Sequence, residues 1–358
     1  MCGGSSECRM FLNYSYRCEC PHGEIYTRAK ECKNNTEGSG TSRFSSISSL
    51  EINYSELHVP APPLEDYKTF KGTKGVHVVA CVDRNHLSGV PNLINSVAVN
   101  SQYPENIFFH VVTDANDAVL VERAIACRVY GDNTQKSVNI VVHYFDTRLI
   151  RGLYKVYTPA NFAGKLSSSM NFARFYLPKL IPNIPMLIYV DVDIIFQDDV
   201  IKLWKEAKQK FQDPSLVFTV VPRASSGLTE RVKQLFTERS GVAFEEEKFV
   251  QFNAGLYAFR VDRWQKLLLT REAEFWMAFT LHEKLWEFGT QPILWLLSYG
   301  RVAALSSDWN IEGLGWREIP LERVASAKVL HWCGKHKPWE QSSKHKELWE
   351  KYTPHSVC

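Results

Sequence analysis

Two aspartates one residue apart, Asp191 and Asp193, close the apolar run MLIYV. Alternate side chains of an extended chain share a face, so both carboxylates point together and Val192 points away. Close carboxylates repel, the more so when desolvated. A divalent cation removes that conflict, and oxygen donors favour Mg2+, Mn2+ or Ca2+ over softer metals. An isolated Asp-x-Asp also fits a solvated strand end, so further donors must be sought elsewhere in the chain.

They occur in His331-Trp332-Cys333-Gly334-Lys335-His336-Lys337-Pro338-Trp339. His331 can complete a metal site through an imidazole nitrogen, which shifts selectivity from Mg2+ towards Mn2+. Gly334 lets backbone approach a ligand closely. Lys337 can set a point charge on phosphate oxygens. The bland alternative is a basic surface loop with Trp339 packed on the body. In Phe252-Asn253-Ala254-Gly255-Leu256 an amide and two small residues precede a strand-like LYAF, which suits close approach of a sugar or a simple turn. Asp83 and Asn85 follow the first strand-like run, where they can read a base and ribose or form a turn. No GxGxxG or Walker pattern follows that run.

The elements that must position these residues alternate. VHVVACV (76–82), IFFHVVT (107–113), VNIVVHYF (138–145), MLIYVDVDIIF (186–196) and SLVFTVV (215–221) read as strands, the first almost wholly apolar as a buried parallel strand should be. Pro91 opens a helix with Leu93, Ile94, Val97 and Ala98 on one side, and Ala118, Val121, Ile125 and Val129 mark another. MNFARFYLPKL (170–180) reads as helical up to Leu177. Alternation of this kind predicts an α/β domain with a mixed, mostly parallel sheet, whose ligands bind beyond the carboxyl ends of the strands.

Residues 75–358 are expected to form that one catalytic domain. Residues 1–74 read as a Cys-rich stem and linker, disordered in part, with GSGTSRFSSISSL and LHVPAPPLEDY as connectors. Cys2, Cys8, Cys18, Cys20 and Cys32 crowd beside the sequons at Asn13, Asn34 and Asn53, which points to disulfides, glycosylation and an oxidising compartment. No pair of CxxC units suggests zinc. With 42 Lys and Arg against 39 Asp and Glu, the chain is not built around nucleic acid. No apolar run reaches the ~18 residues of a membrane span, so any anchor would lie upstream of this Met.

Taken in order, Asp83/Asn85, FARFYLPKLIP (172–182), YVDVDIIFQDDV, FNAGLY and LHWCGKHKPW resemble glycosyltransferase family 8 across about residues 75–352, especially the eukaryotic Golgi-type and galacturonosyltransferase-like members. The resemblance implies a GT-A (Rossmann-like) fold, a UDP-sugar donor, Mn2+ and retention at the anomeric carbon. It implies that Asp191, Asp193 and His331 hold the metal and that Gly334 and Lys337 hold the diphosphate. Asp83 and Asn85 would touch the nucleotide, Arg174 would reach the donor, and Asn253 and Gln291 would lie around the transferred sugar, with Asp193, Asn253 and Gln291 as the catalytic set. His86 stands where many members have Tyr, and Thr290-Gln291-Pro292 replaces an Asp-Gln-Asp. The implied acceptor is a glycan, protein or lipid, the implied location the Golgi lumen or outside the cell, and a homodimer is compatible. The rival reading is a catalytically weak, sugar-nucleotide-binding or scaffolding member of the same fold.

Overall fold

The computed structural model describes residues 75–128, 138–157, 168–224, 227–287 and 289–354, and before them the strands Glu7–Phe11, Ser15–Glu19, Ile25–Tyr26 and Cys32–Lys33. The linkers, the sequons and the side chains of the early cysteines lie outside the described residues. The chain divides into two compact units, 1–57 with 230–244, and 58–229 with 245–358. In the first, Glu7–Phe11 pairs antiparallel with Ser15–Glu19, and Ile25–Tyr26 with Cys32–Lys33, in a stretch whose sequence shows no strand period. Its helix Glu230–Ser240 sets Phe236 edge-on to Phe244 at 5.6 Å.

The second unit is built on a seven-stranded sheet. Its strands are β1 (Val76–Val82), β2 (Ile107–Asp114), β3 (Asn139–Phe145), β4 (Met186–Val190), β6 (Phe218–Pro222), β7 (Phe252–Arg260) and β8 (Val302–Ala304). The order is β8-β6-β7-β4-β1-β2-β3. β4, β1, β2 and β3 run parallel, and only β7 opposes both of its neighbours. The mixed, mostly parallel sheet expected from the sequence is present. A three-stranded sheet of β5 (Ile194–Phe196), β9 (Ile311–Glu312) and β10 (Val329–His331) stands beyond the end of β4 in the order β9-β10-β5.

Apolar side chains explain the placement. Every residue of β4 and β7 is buried, which hydrophobic strands flanked on both faces require. Leu93, Ile94, Val97 and Ala98 of the helix Val90–Asn100 join Val78, Ala80, Phe109, Val111, Ile188 and Val190 in one core. A smaller core of Ile195, Leu314, Leu330, Trp332 and Trp349 fastens the three-stranded sheet and the carboxyl-terminal helix Lys346–Glu350.

Three expectations are corrected. The run 186–196 is not one strand: Asp191, Val192 and Asp193 form a turn between β4 and β5, because the chain leaves one sheet to join another. Asn253 and Gly255 lie inside β7 and do not precede it. The helical stretch after Met170 continues past Leu177 as Met170–Ala173, a 3-10 turn Arg174–Tyr176 and Leu177–Leu180, since Pro178 is placed where a first turn needs no N–H donor.

Candidate active site

The turn after β4 is pinned from both sides. The Asp191 N–H donates to the Gly255 carbonyl of β7 (2.8 Å), and the Trp332 N–H donates to the Asp193 carbonyl (3.0 Å). The second bond ties Asp193 to the residue after His331, while β10 pairs His331 with Ile194 across β5. Val192 is turned into the core, 6% exposed. The two carboxylates therefore converge through a turn, not through strand alternation, and His331 is delivered to them by the small sheet.

Ligand atoms of Asp191, Asp193 and His331 all lie within 4.8 Å of one another. His331 Nδ1 pairs with Asn310 Oδ1 at 3.1 Å. That bond fixes the proton on Nδ1 and leaves Nε2 with its lone pair. Nε2 is buried, 3.3 Å from Asp193 Oδ1, and has no hydrogen-bond partner. A buried acceptor without a donor is costly, and a cation in this position removes the cost. Gly255 forms the floor: a Cβ there would meet Asp191 Oδ2 at 2.8 Å, Asn253 Oδ1 at 2.9 Å and, nearer still, the His331 ring. The residues fit a divalent metal.

Charge around the triad is closely matched. Lys337 Nζ pairs with Asp193 Oδ2, although Asp193 is 4% exposed. Burial pushes the Asp193 carboxyl up, but the Lys337 ammonium beside it outweighs that and holds it well below the usual carboxylate range. Burial likewise pulls the Lys337 ammonium down, and Asp193 turns the net shift upward. Arg174 is locked by bonds to the Asn171 carbonyl (2.9 Å) and the Ala254 carbonyl (2.8 Å), with its guanidinium 4.4 Å from the Tyr189 ring centre. Its remaining nitrogen stands 3.3 Å from Asp191 Oδ1, which also accepts from the Tyr189 hydroxyl at 2.9 Å. Cys81 and Cys333 are free thiols pushed by burial up to about 12, so neither is a nucleophile near neutral pH.

A cleft of about 340 Å³ opens over the triad. Arg174, Asp191, Asp193, Asn253, Gln291, His331, Gly334 and Lys337 all line it. Gln291 begins the helix Gln291–Ser298 and accepts the Ala254 N–H at 3.1 Å, so its amide nitrogen is available to the cleft. Both ends of the Asn253 amide are engaged, Oδ1 by the Gly255 N–H (2.7 Å) and Nδ2 by Glu312 (3.3 Å). Gly334 has φ +104°, and a Cβ there would press on the Trp316 indole nitrogen at 2.8 Å. Asp83 and Asn85 do not line the cleft. Asp83 Oδ1 accepts the N–H groups of Asn85 (2.9 Å) and His86 (3.1 Å) and meets His86 Nδ1 at 2.8 Å. Burial raises that carboxyl, yet these bonds give a net downward shift.

The sequence reading missed Asn310, which orients His331, and Tyr189, which orients Asp191. It also missed Arg223, Glu312, Trp316 and Arg317 on the cleft wall. Glu312 and Trp316 carry only the signal of the glycine-containing IEGLGW (311–316), too short to show a period, with Arg317 next to it and Arg223 in a separate segment.

The model of the family described as glycosyl transferase family 8 matches residues 77–343. The chain belongs to glycosyltransferase family 8. It is 28% identical over 279 residues to probable galacturonosyltransferase-like 7 of Arabidopsis thaliana, covering 74% of this chain and 70% of that one. It is 26% identical over 302 residues to glycosyltransferase 8 domain-containing protein 1 of Homo sapiens, covering 77% and 76%. Among solved structures, the galactosyltransferase LgtC, in complex with donor and acceptor sugar analogs, superposes with a TM-score of 0.56 at 18% identity, over 79% of this chain and 98% of that one. That likeness establishes the GT-A fold. The family 8 chain is thus a glycosyltransferase with an Asp-Asp-His group suited to a divalent metal.

Proposed function

We propose that this enzyme transfers a hexosyl, uronosyl or pentosyl group from a UDP-sugar to a glycan, protein or lipid acceptor, with Mn2+ bound by Asp191, Asp193 and His331 and with retention at the anomeric carbon. The observation that carries the reading is the buried, unpartnered Nε2 of His331 facing the two carboxylates. One nitrogen and two oxygen donors suit Mn2+. A metal there supplies Lewis-acid neutralisation of diphosphate charge.

The chain's own residues supply the rest. Lys337 brings a positive charge to the cleft beside Asp193, where it can stabilise developing phosphate charge. Arg174 and Tyr189 hold Asp191 in one orientation, so little reorganisation is needed when the donor binds. Gly255 and Gly334 keep the floor and rim free of side chains. The Gln291 amide can donate to a sugar hydroxyl but is too weakly basic to be a nucleophile. Retention then follows from front-face attack: the acceptor oxygen bonds the anomeric carbon as the carbon–oxygen bond to phosphate breaks, and the acceptor proton passes to the leaving diphosphate. The early cysteines and sequons support a secretory, Golgi-luminal setting, and Asp83 and Asn85 are proposed to border the nucleotide.

The test is release of UDP from a panel of UDP-sugars with Mn2+. Asp193→Ala should abolish release, and activity surviving that substitution would refute the metal assignment. A trapped glycosyl-enzyme on any carboxylate would refute the front-face route.

A further inference from the structure

The cleft wall formed by Arg223, Glu312 and Arg317 is shared with a second cavity of about 490 Å³. Its size lies within the ~300–1,000 Å³ of small-molecule sites. Asp191, Asp193, His331 and Lys337 line the first and not the second. A donor held on the triad therefore leaves this cavity open beside it.

The cavity is cationic. Arg223, Arg317 and Arg323 line it against one carboxylate, Glu312. Arg223 pairs with Glu312 at 2.6 Å, and its Nε is buried without a partner. Arg323 pairs with Asp308 at 2.8 Å and reaches the Ser307 hydroxyl at 3.2 Å. Among the described residues Arg317 has no carboxylate partner; its guanidinium lies 4.4 Å over the Trp316 ring. Three guanidiniums thus face two carboxylates, inside a concave wall that focuses their field. Trp316, 45% exposed, lines the cleft next to Arg317, its indole N–H fixed on the Cys333 carbonyl at 3.0 Å. It offers a flat apolar surface of the kind on which a sugar ring can rest.

Arg323 lines this cavity and not the cleft over the triad, while Arg223 and Arg317 line both and connect the two. We propose that the second cavity is the acceptor subsite and that it selects an anionic glycan, a sugar bearing a carboxylate or sulfate. This rests on the transferase reading of the cleft. The anionic group sits among Arg223, Arg317 and Arg323, whose planar forks match such oxygens in pairs. The ring beside Trp316 then presents a hydroxyl to the donor across Glu312.

The experiment measures binding of three probes to the full chain by calorimetry: trigalacturonate, a chondroitin sulfate tetrasaccharide and neutral cellotriose. The acidic probes should bind at least about tenfold tighter than the neutral one, the size of one lost charged hydrogen bond. The tighter of the two identifies carboxylate or sulfate. The preference should shrink as salt rises. Arg317→Gln and Arg323→Gln should each weaken acidic probes about tenfold and leave cellotriose binding as it was. Equal binding of cellotriose, indifference to both substitutions in folded protein, or tighter binding of a glutamate-rich peptide would overturn the proposal. Release of UDP by the unaltered enzyme is measured in parallel. Release without anion preference removes only the subsite, and anion preference without release removes only the donor reading.

Discussion

Adding a single methyl group at Gly255 should disable the site without unfolding the protein. A Cβ there lands 2.8 Å from Asp191 Oδ2 and 2.9 Å from Asn253 Oδ1, and closer to the His331 ring. Carbon contacts relax near 3.5–4.0 Å, so at least two of the three proposed metal donors must move by several tenths of an ångström. Neither can move freely: Asp191 is tied to Arg174 and Tyr189 and His331 to Asn310. Overpacking of this kind costs about 1–3 kcal/mol of stability, which a two-unit chain of this size tolerates. Misplacement approaching 1 Å at a reacting centre costs about 100-fold in rate. Gly255→Ala should therefore melt within several degrees of the unaltered protein while UDP release with Mn2+ falls about 100-fold or more. A variant that folds and turns over at the original rate would refute the claim that Gly255 is the floor of the metal site.

Three further outcomes are expected. Lys337→Met should lower UDP release by about 10²–10³ with donor affinity less affected; steady-state kinetics giving a change in KM alone would contradict this. Asn310→Leu frees the His331 tautomer and should weaken Mn2+ binding about 10–100-fold, read by metal titration in the absence of sugar. The buried ladder His77–His110–His143, with nitrogens 3.0 and 2.9 Å apart, makes stability pH-dependent. Burial and its His neighbours push His110 down to about 2, and burial lowers His143 too, so below about pH 6.5 the unfolded chain gains protons that the folded one refuses. Stability should fall on acidification by about 1.4 kcal/mol per pH unit from His110 alone; urea denaturation at pH 7 and pH 5 checks it, and a His110→Phe variant should show a shallower loss.

The parallel strands Val76–Val82, Ile107–Asp114 and Met186–Val190 were legible because each is an apolar run buried on both faces, and the half-buried Asn139–Phe145 from its apolar run alone. The grouping of Asp191, Asp193 and His331 was legible for a different reason. Each stands at the end of an apolar run, and the structure brings the three together even though a turn, not an extended chain, joins Asp191 and Asp193. What sequence could not show is which partner each polar group takes. The Asp83 carboxylate takes the N–H groups of Asn85 and His86 and meets the His86 ring. The Asn253 amide pairs with the Gly255 N–H and with Glu312. Glu312 sits on a two-residue strand, below any detectable period, and reaches the site only because β9 pairs it with His331. The arginines beside it come from segments nearly a hundred residues apart, and only folding makes them neighbours.

The central claim is that Asp191, Asp193 and His331 grip one divalent ion. Pulsed electron paramagnetic resonance of the full chain with stoichiometric Mn2+ and UDP tests it directly. The account predicts one tightly held ion per chain, with a nitrogen coupling from an imidazole that vanishes in His331→Ala. Absence of a bound ion, or a nitrogen coupling that survives that substitution, would contradict it.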